Sequence, residues 1–384
     1  MKIYDLAIIG MGLAGATAAA VASEEGLNVL ALEKGQGPKS RKSLSSGWLG
    51  RAFHTLSRID CGFGIVTDEK AKTVAAELCR KANGGLLEYC HTADLPCDFP
   101  LHPIPGSYCK TNATCGRNLS QELYSRIAGS GKTDLLFGTE VERVDYTDHF
   151  ILYTNRGKME AYKCLIATGG TTTEWLSKTF TSFSIPIVKT KAAIGVRVEV
   201  SSKAIKPFLQ VVGDIRLSVG AAFLDDARQN SLVGECEEDG LVFAFPYSSN
   251  RQTERTNFMV GVELDSTEAI RIIKIINILT NNKIRHERAI DFVNKCGLLE
   301  HFDQFDPARY ALKELSRMVP QLLNLAIVHV PEIRIGGSLL VDGQMKTVFP
   351  KLYGAGECVF GIASPFAAIA SAMVAIKTME DKYV

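Results

Sequence analysis

The first strong pattern along the chain is an unbroken apolar run over residues 4–10, YDLAIIG, the signature of a strand buried on both faces of a parallel sheet. A glycine-rich turn, Gly10-Met11-Gly12-Leu13-Ala14-Gly15, follows at once, and the alanine-rich stretch 16–25 predicts a helix stopped by Gly26. A second apolar strand over 28–32 closes on Glu33. One βαβ unit is thus complete within about 30 residues.

Periodicity then lapses. Residues 40–64 are rich in Ser, Gly and Arg and predict a long covering loop. Helical spacing returns over 68–90, interrupted by Gly84-Gly85, while 91–118, with Pro96, Pro100, Pro103 and Pro105, reads as irregular. Long segments without regular elements inside a compact chain are usually functional. A helix is predicted over 119–128, then strands at 134–137, 138–146, 150–154 and 158–165, a small antiparallel meander returning to the main sheet. The run 163–170, KCLIATGG, is another buried strand ending in glycines. Residues 192–265 hold β-like runs with no long helix between them, and 267–325 is mainly helical. After 328 come a strand, Gly336-Gly337, a strand at 351–353, Gly354-Ala355-Gly356-Glu357 and a small-residue helix over 365–383. The expected class is α/β: a Rossmann-like domain (parallel sheet with an antiparallel meander) from 1–190 and 325–384, plus an inserted α+β substrate or cap domain over 191–324.

Charge removes one class of partner. With 43 Lys+Arg against 42 Asp+Glu the net charge of +1 supplies no field to gather nucleic acid, and no local basic patch replaces it. A hydrophobic content of 46% with no long polar tract excludes disorder. The apolar window 6–23 is broken by the glycine turn, so no membrane insertion is expected. The ten cysteines include no CxxC pair and the N-terminus has no secretory pattern, which predicts a cytoplasmic chain with reduced thiols. Cys90, His91, Cys97, His102, Cys109 and Cys115 crowd one segment, but without the tight pairs that aim ligands at one point, so no metal is expected.

The glycine turn has the context that gives such a motif meaning, since it lies between a buried strand and a helix. Gly10 permits the tight turn, Gly12 lets backbone approach a pyrophosphate, and Gly15 allows close helix packing, with the helix N-terminus facing the phosphates. Glu33, 23 residues after Gly10, stands where a carboxylate accepts both ribose hydroxyls and repels a 2′-phosphate. NAD and FAD both satisfy this much.

The C-terminal Gly354-Ala355-Gly356-Glu357 between a strand and a helix resembles the second half of a flavin site, and the whole arrangement resembles the glutathione-reductase-like superfold of FAD enzymes. That resemblance implies non-covalent FAD. It places Gly356 and Glu357 on the ribityl chain, and residues 361–366, including Gly361, Ile362, Ala363 and Ser364, along the pyrimidine edge of the flavin. A helix N-terminus there favours the anionic reduced flavin. It puts the Val141 backbone on adenine, Lys34 beside Glu33, and Ala167, Thr168 and Gly169 in the ATG motif. The loop bearing Arg41, Ser45, Ser46 and Gly47 should lie over the pyrophosphate and flavin, with Arg41 and the serines as donors.

No second GxGxxG and no CxxxxC pair follow, which sets the chain apart from the two-dinucleotide disulfide reductases and nearer the fumarate reductase and aspartate oxidase group. Within it, Ile194-Gly195-Val196-Arg197-Val198-Glu199, Asn257-Phe258, Asp291-Phe292 and Pro331-Glu332-Ile333 are similar to uncharacterised FAD-dependent dehydrogenases of bacteria and archaea. His54-Thr55 resembles the dipeptide that carries covalent flavin in fumarate reductases, although its flanking residues differ; an ordinary loop histidine is the first reading of His54, and a non-covalent catalytic role near the flavin the alternative. In such enzymes arginines over the flavin clamp a substrate carboxylate or donate a proton, and Arg334 and Arg197 are the candidates here.

The expected function is hydride exchange between flavin N5 and a small organic substrate, a carboxylate being one candidate. Oxygen, a quinone, a transient NAD(P)H and a partner protein all remain as the other redox partner. A flavin monooxygenase is the alternative enzyme, although the DG-type motif expected near the 150s is missing. A non-catalytic or RNA-modifying flavoprotein is the alternative from another class, against which the neutral charge weighs.

Overall fold

The computed structural model describes residues 2–36, 58–60, 62–91, 100–104, 107–110, 115–212, 215–238, 240–248 and 253–380. Its elements in chain order are β1 (Ile3–Ile9), α1 (Leu13–Glu24), β2 (Val29–Glu33), β3 (Arg58–Asp60), α2 (Glu69–Ala82), β4 (Glu88–His91), β5 (His102–Pro103), β6 (Ser107–Lys110), α3 (Cys115–Ser130), β7 (Thr133–Phe137), β8 (Val141–Tyr146), β9 (Phe150–Thr154), β10 (Gly157–Ile166) and α4 (Thr173–Thr179). They continue with β11 (Lys191–Ser201), α5 (Ser202–Val212), β12 (Leu217–Val219), β13 (Ala222–Gln229), β14 (Ser231–Glu238), β15 (Leu241–Ser248), β16 (Arg255–Asp265), α6 (Ser266–Leu279) and β17 (Arg285–Arg288). The last are α7 (Ala289–Val293), α8 (Asp306–Met318), α9 (Leu322–Leu325), β18 (Ile327–Ile335), β19 (Leu352–Gly354) and α10 (Pro365–Glu380).

The chain divides into two compact units: residues 1–87, 114–190 and 336–384, and residues 88–113 and 191–335. The first is a Rossmann-like α/β unit. Its sheet runs β7-β2-β1-β10-β9-β8, with β19 also pairing with β10. Strands β7, β2, β1, β10 and β19 are parallel, and β8 to β10 form the antiparallel meander. The expected four-strand meander is therefore shortened by one: Thr133–Phe137 pairs in parallel with β2 as an edge strand of the main sheet. Its alternation resembled that of the neighbouring hairpin strands, and periodicity does not tell which partner a strand will choose.

Helices α1 and α10 are apolar nearly all round, which marks helices enclosed by protein. Alanines fill α1 because the layer above the sheet is tight, and residues 14–20 of α1 are all buried.

The second unit is built on another sheet, in the order β17-β18-β11-β16-β13-β12-β5, with β14 and β15 as a separate hairpin. Ala192, Ile194, Val196, Val198 and Val200 of β11 join a core with Ile272, Ile273 and Ile276 of α6 and Ala308, Ala311, Leu312 and Leu315 of α8. Alternation then sends Gly195, Arg197 and Glu199 to the opposite face. Within the stretch 192–265, expected to hold no long helix, residues 202–212 form the 11-residue α5. Pro207 lies in its interior, and apolar burial of Ile205 and Phe208 holds the helix. Among the described residues, no helix is long and apolar enough to cross a membrane, and no cluster of potential metal ligands occurs.

Candidate functional site

Three glycine-bearing segments converge in the first unit. Gly10 has φ +93°, and a Cβ there would lie 2.8 Å from the Ala167 carbonyl oxygen; a Cβ on Gly15 would lie 1.9 Å from that of Gly10. The Ala167 amide donates to Ile9 and the Ala355 amide to Ile166, so the ends of β1, β10 and β19 are stitched in one row. Gly356 has φ +78°, and its Cβ would meet that of Ala14 at 2.7 Å. These positions require glycine for separate reasons, turn conformation and close approach.

Gly12 is different. Among the described residues, a Cβ on it would meet nothing within 4 Å, which leaves open space in front of the helix start. Gly12 has no side chain with which to cap α1 and the first turn has no acid, so among the described residues the positive helix end has no capping carboxylate of its own. Leu13 is half-buried and Ala14 buried in that first turn.

Glu33 is buried, its carboxylate accepting the Met11 amide at 3.0 Å and the Gly35 amide at 2.6 Å. It therefore ties the glycine turn to the end of β2. A carboxylate has about four lone-pair sites, so two backbone bonds leave capacity for ribose hydroxyls. Lys34 is exposed and pairs with Glu140 at 2.8 Å. Val141 is buried, and its carbonyl accepts the Trp175 indole N–H at 2.8 Å. The Thr168 and Thr172 hydroxyls are 2.9 Å apart, and Gly169 precedes a single 3₁₀ turn over Gly170–Thr172.

At the C-terminal side, Glu357 is half-buried beside Gly356, whose amide donates to the Ser371 hydroxyl. Gly361, φ +83°, and Ala363 are exposed, and Ile362 is buried. Ser364 caps α10: its hydroxyl accepts the Ala367 amide and donates to the Gly62 carbonyl. Burial pushes the Cys358 thiol up to about 12, so this neighbour of Glu357 stays protonated. Arg41, Ser45, Ser46, Gly47 and His54 lie outside the described residues.

In the second unit the two arginine candidates share one network. Arg197 is wholly buried; its guanidinium donates to Glu332 at 2.8 and 2.6 Å, to Asp226 at 2.9 Å and to Asn257 at 2.8 Å. Its donors are taken up inside the protein, which gives it a place as scaffold. Arg334 is 38% exposed at the side chain, and its Nη2 donates to Asp226 at 3.0 Å and to Glu332 at 3.3 Å. Desolvation works against its charge, but Asp226, Glu332 and Asp225 together raise its pKa. Asp226 and Trp175 had no prominence in the sequence. The adjacent acids of Phe223-Leu224-Asp225-Asp226 in a β-like run were the only available signal for Asp226.

The residues around Gly10, Gly12 and Glu33 fit a dinucleotide: an uncapped helix start, open space before it, and a buried carboxylate. The FAD binding domain family matches residues 5–79. The nucleotide is FAD. No curated protein matches the chain. Among solved structures, the chain is similar to NikD, an unusual amino acid oxidase essential for nikkomycin biosynthesis, at 13% identity and TM-score 0.50, covering 100% of this chain and 95% of that one. It is also similar to glycine oxidase from Geobacillus kaustophilus, at 13% identity and TM-score 0.48 over 100% and 96%. CtdE in complex with FAD gives 14% identity and TM-score 0.44 over 97% and 83%. At such identities the NikD likeness is one of fold: an α/β FAD-binding domain accompanied by a further domain.

Proposed function

We propose that the chain is an FAD-dependent oxidoreductase that exchanges hydride between flavin N5 and a small organic acid, and that its functional kin are FAD-dependent dehydrogenases. The observation that supports this reading is the α1 N-terminus, uncapped and with open space over Gly12 among the described residues, with the buried Glu33 behind it. FAD, when bound, supplies the hydride chemistry; the chain supplies position and charge.

In this reading Gly12, Leu13 and Ala14 offer amides to the pyrophosphate, and Glu33 accepts ribose hydroxyls. Val141 meets adenine, Glu357 meets the ribityl chain, and Gly361 and Ala363 present backbone to the flavin. The unit of 88–113 and 191–335 supplies the substrate-binding groups. Arg334, partly exposed and held as a cation, takes the substrate carboxylate. A fixed carboxylate orients the substrate's reacting carbon, which lowers the entropic part of the barrier.

The test is anaerobic reduction of the FAD-loaded protein by a panel of amino and hydroxy acids, followed by loss of oxidised-flavin absorbance. The expected result is bleaching by at least one acid and loss of that bleaching in Arg334→Gln. Bleaching by NADH or NADPH alone, unchanged in Arg334→Gln, would overturn the carboxylate assignment.

A further inference from the structure

Two strands of the second sheet depart from regular pairing on either side of β16. The register of β11 against β18 shifts between Gly195 and Arg197, and that of β13 against β16 shifts between Asp225 and Arg228. Inside the second irregularity Asp226 takes φ +58°, the left-handed region that a side chain adopts at a cost. Bulges of this kind re-aim side chains and recur next to functional sites.

What the strain delivers is a carboxylate between three guanidiniums. One Asp226 oxygen accepts Arg197 at 2.9 Å and Arg334 at 3.0 Å, and the other meets Arg228 at 2.6 Å. Side-chain exposure is 0% for Arg197, 3% for Glu332, 14% for Asp226 and 15% for Arg228, against 38% for Arg334. The cluster therefore opens to solvent chiefly at Arg334. Both bonds of Arg334 use Nη2; among the described residues Nε and Nη1 donate to nothing.

We propose that Asp226 is a positioning residue: from its left-handed place in the β13 irregularity it grips Arg334 by Nη2, so that Nε and Nη1 are presented to the anionic group of the substrate. This rests on the reading that Arg334 takes a carboxylate. The competing role for Asp226, neutralising the buried arginines, predicts the opposite sign on loss of its charge. Removing a negative charge from the cluster strengthens attraction for an anion, whereas removing a grip disorders the arginine and weakens it.

The experiment is calorimetric titration of the FAD-loaded protein with benzoate and acetate, and with benzamide as a neutral control. Asn tolerates the left-handed region, so Asp226→Asn keeps the backbone. Positioning predicts that D226N binds benzoate about tenfold more weakly with benzamide unchanged. Tighter or unchanged benzoate binding in D226N overturns the proposal. Arg334→Gln separates the two claims: benzoate binding that survives R334Q, or wild-type protein that binds neither acid, overturns the carboxylate reading itself. If D226N fails to fold, Arg334→Lys keeps the charge but cannot be gripped while offering spare donors in a fixed plane. R334K should then lose benzoate affinity by a similar factor, and wild-type affinity in R334K overturns the proposal.

Discussion

Gly356 faces Ala14 so closely that a Cβ on Gly356 would lie 2.7 Å from the Ala14 Cβ. This contact joins the first turn of α1 to the C-terminal glycine segment, more than 300 residues away in sequence. Gly356→Ala adds that overlap to a strained φ of +78°. The expected outcome is a stability loss of about 1–3 kcal/mol and a clear loss of FAD affinity. Gly26→Ala is the control, because Gly26 has φ +88° and, among the described residues, nothing within 4 Å of a Cβ there. It should cost about 1 kcal/mol while FAD affinity stays at the wild-type value. Thermal melting and flavin retention after gel filtration read both; equal FAD loss in the two variants would show that overlap with Ala14 is immaterial.

Arg197 and Glu332 are an interior ion pair, and breaking it leaves carboxylates buried without their cation. Arg197→Met should destabilise the protein by about 3–5 kcal/mol in urea unfolding. The double variant Arg197→Met with Glu332→Leu should recover part of that loss. A single variant as stable as wild type would contradict the scaffold role.

His329 sets an acid limit on stability. Burial, aided by the nearby charges of His286, Arg197 and Arg255, lowers its pKa from 6.5 to about 4, and among the described residues its Nε2 has no hydrogen-bond partner although Glu199 lies 3.9 Å away. Between these two values the unfolded chain binds a proton that the folded chain refuses. Stability contributed by the neutral ring is thus whole above pH 6.5 and declines as pH falls toward about 4. The loss should amount to a few kcal/mol, and His329→Gln should flatten this part of the profile. Urea midpoints measured across that range decide it; an unchanged slope in H329Q would place the titration elsewhere.

Trp175 fixes the strand expected to meet adenine, through the bond from its indole N–H to the Val141 carbonyl. Trp175→Phe keeps the ring packing against Phe180 but removes the donor. It should cost about 1 kcal/mol of stability and weaken FAD binding. Apoprotein titrated with FAD checks this, and unchanged affinity would detach Val141 from the nucleotide.

Much of the nucleotide half was legible in sequence because each step there is local. A buried strand, a glycine turn and an alanine helix specify a βαβ unit through contacts within residues 3–33. The placement of β7 beside β2 was not legible, since partner choice is a long-range matter. Arg197 and Arg334 could be picked out as unusual cations on β-like runs, but their different fates depend on Asp226, Glu332 and Asn257 arriving from three other positions in the chain. The cap at Ser364 was legible too, since a serine directly before Pro365 and a predicted helix is an N-cap signal.

The most direct test of the account is the visible spectrum of the purified protein, or of the apoprotein after addition of FAD, before and after acid precipitation. The expected result is oxidised-flavin absorption in the native protein, FAD released into the supernatant by acid, and loss of uptake in Glu33→Leu. A protein that shows no flavin absorption and takes up no FAD would contradict it.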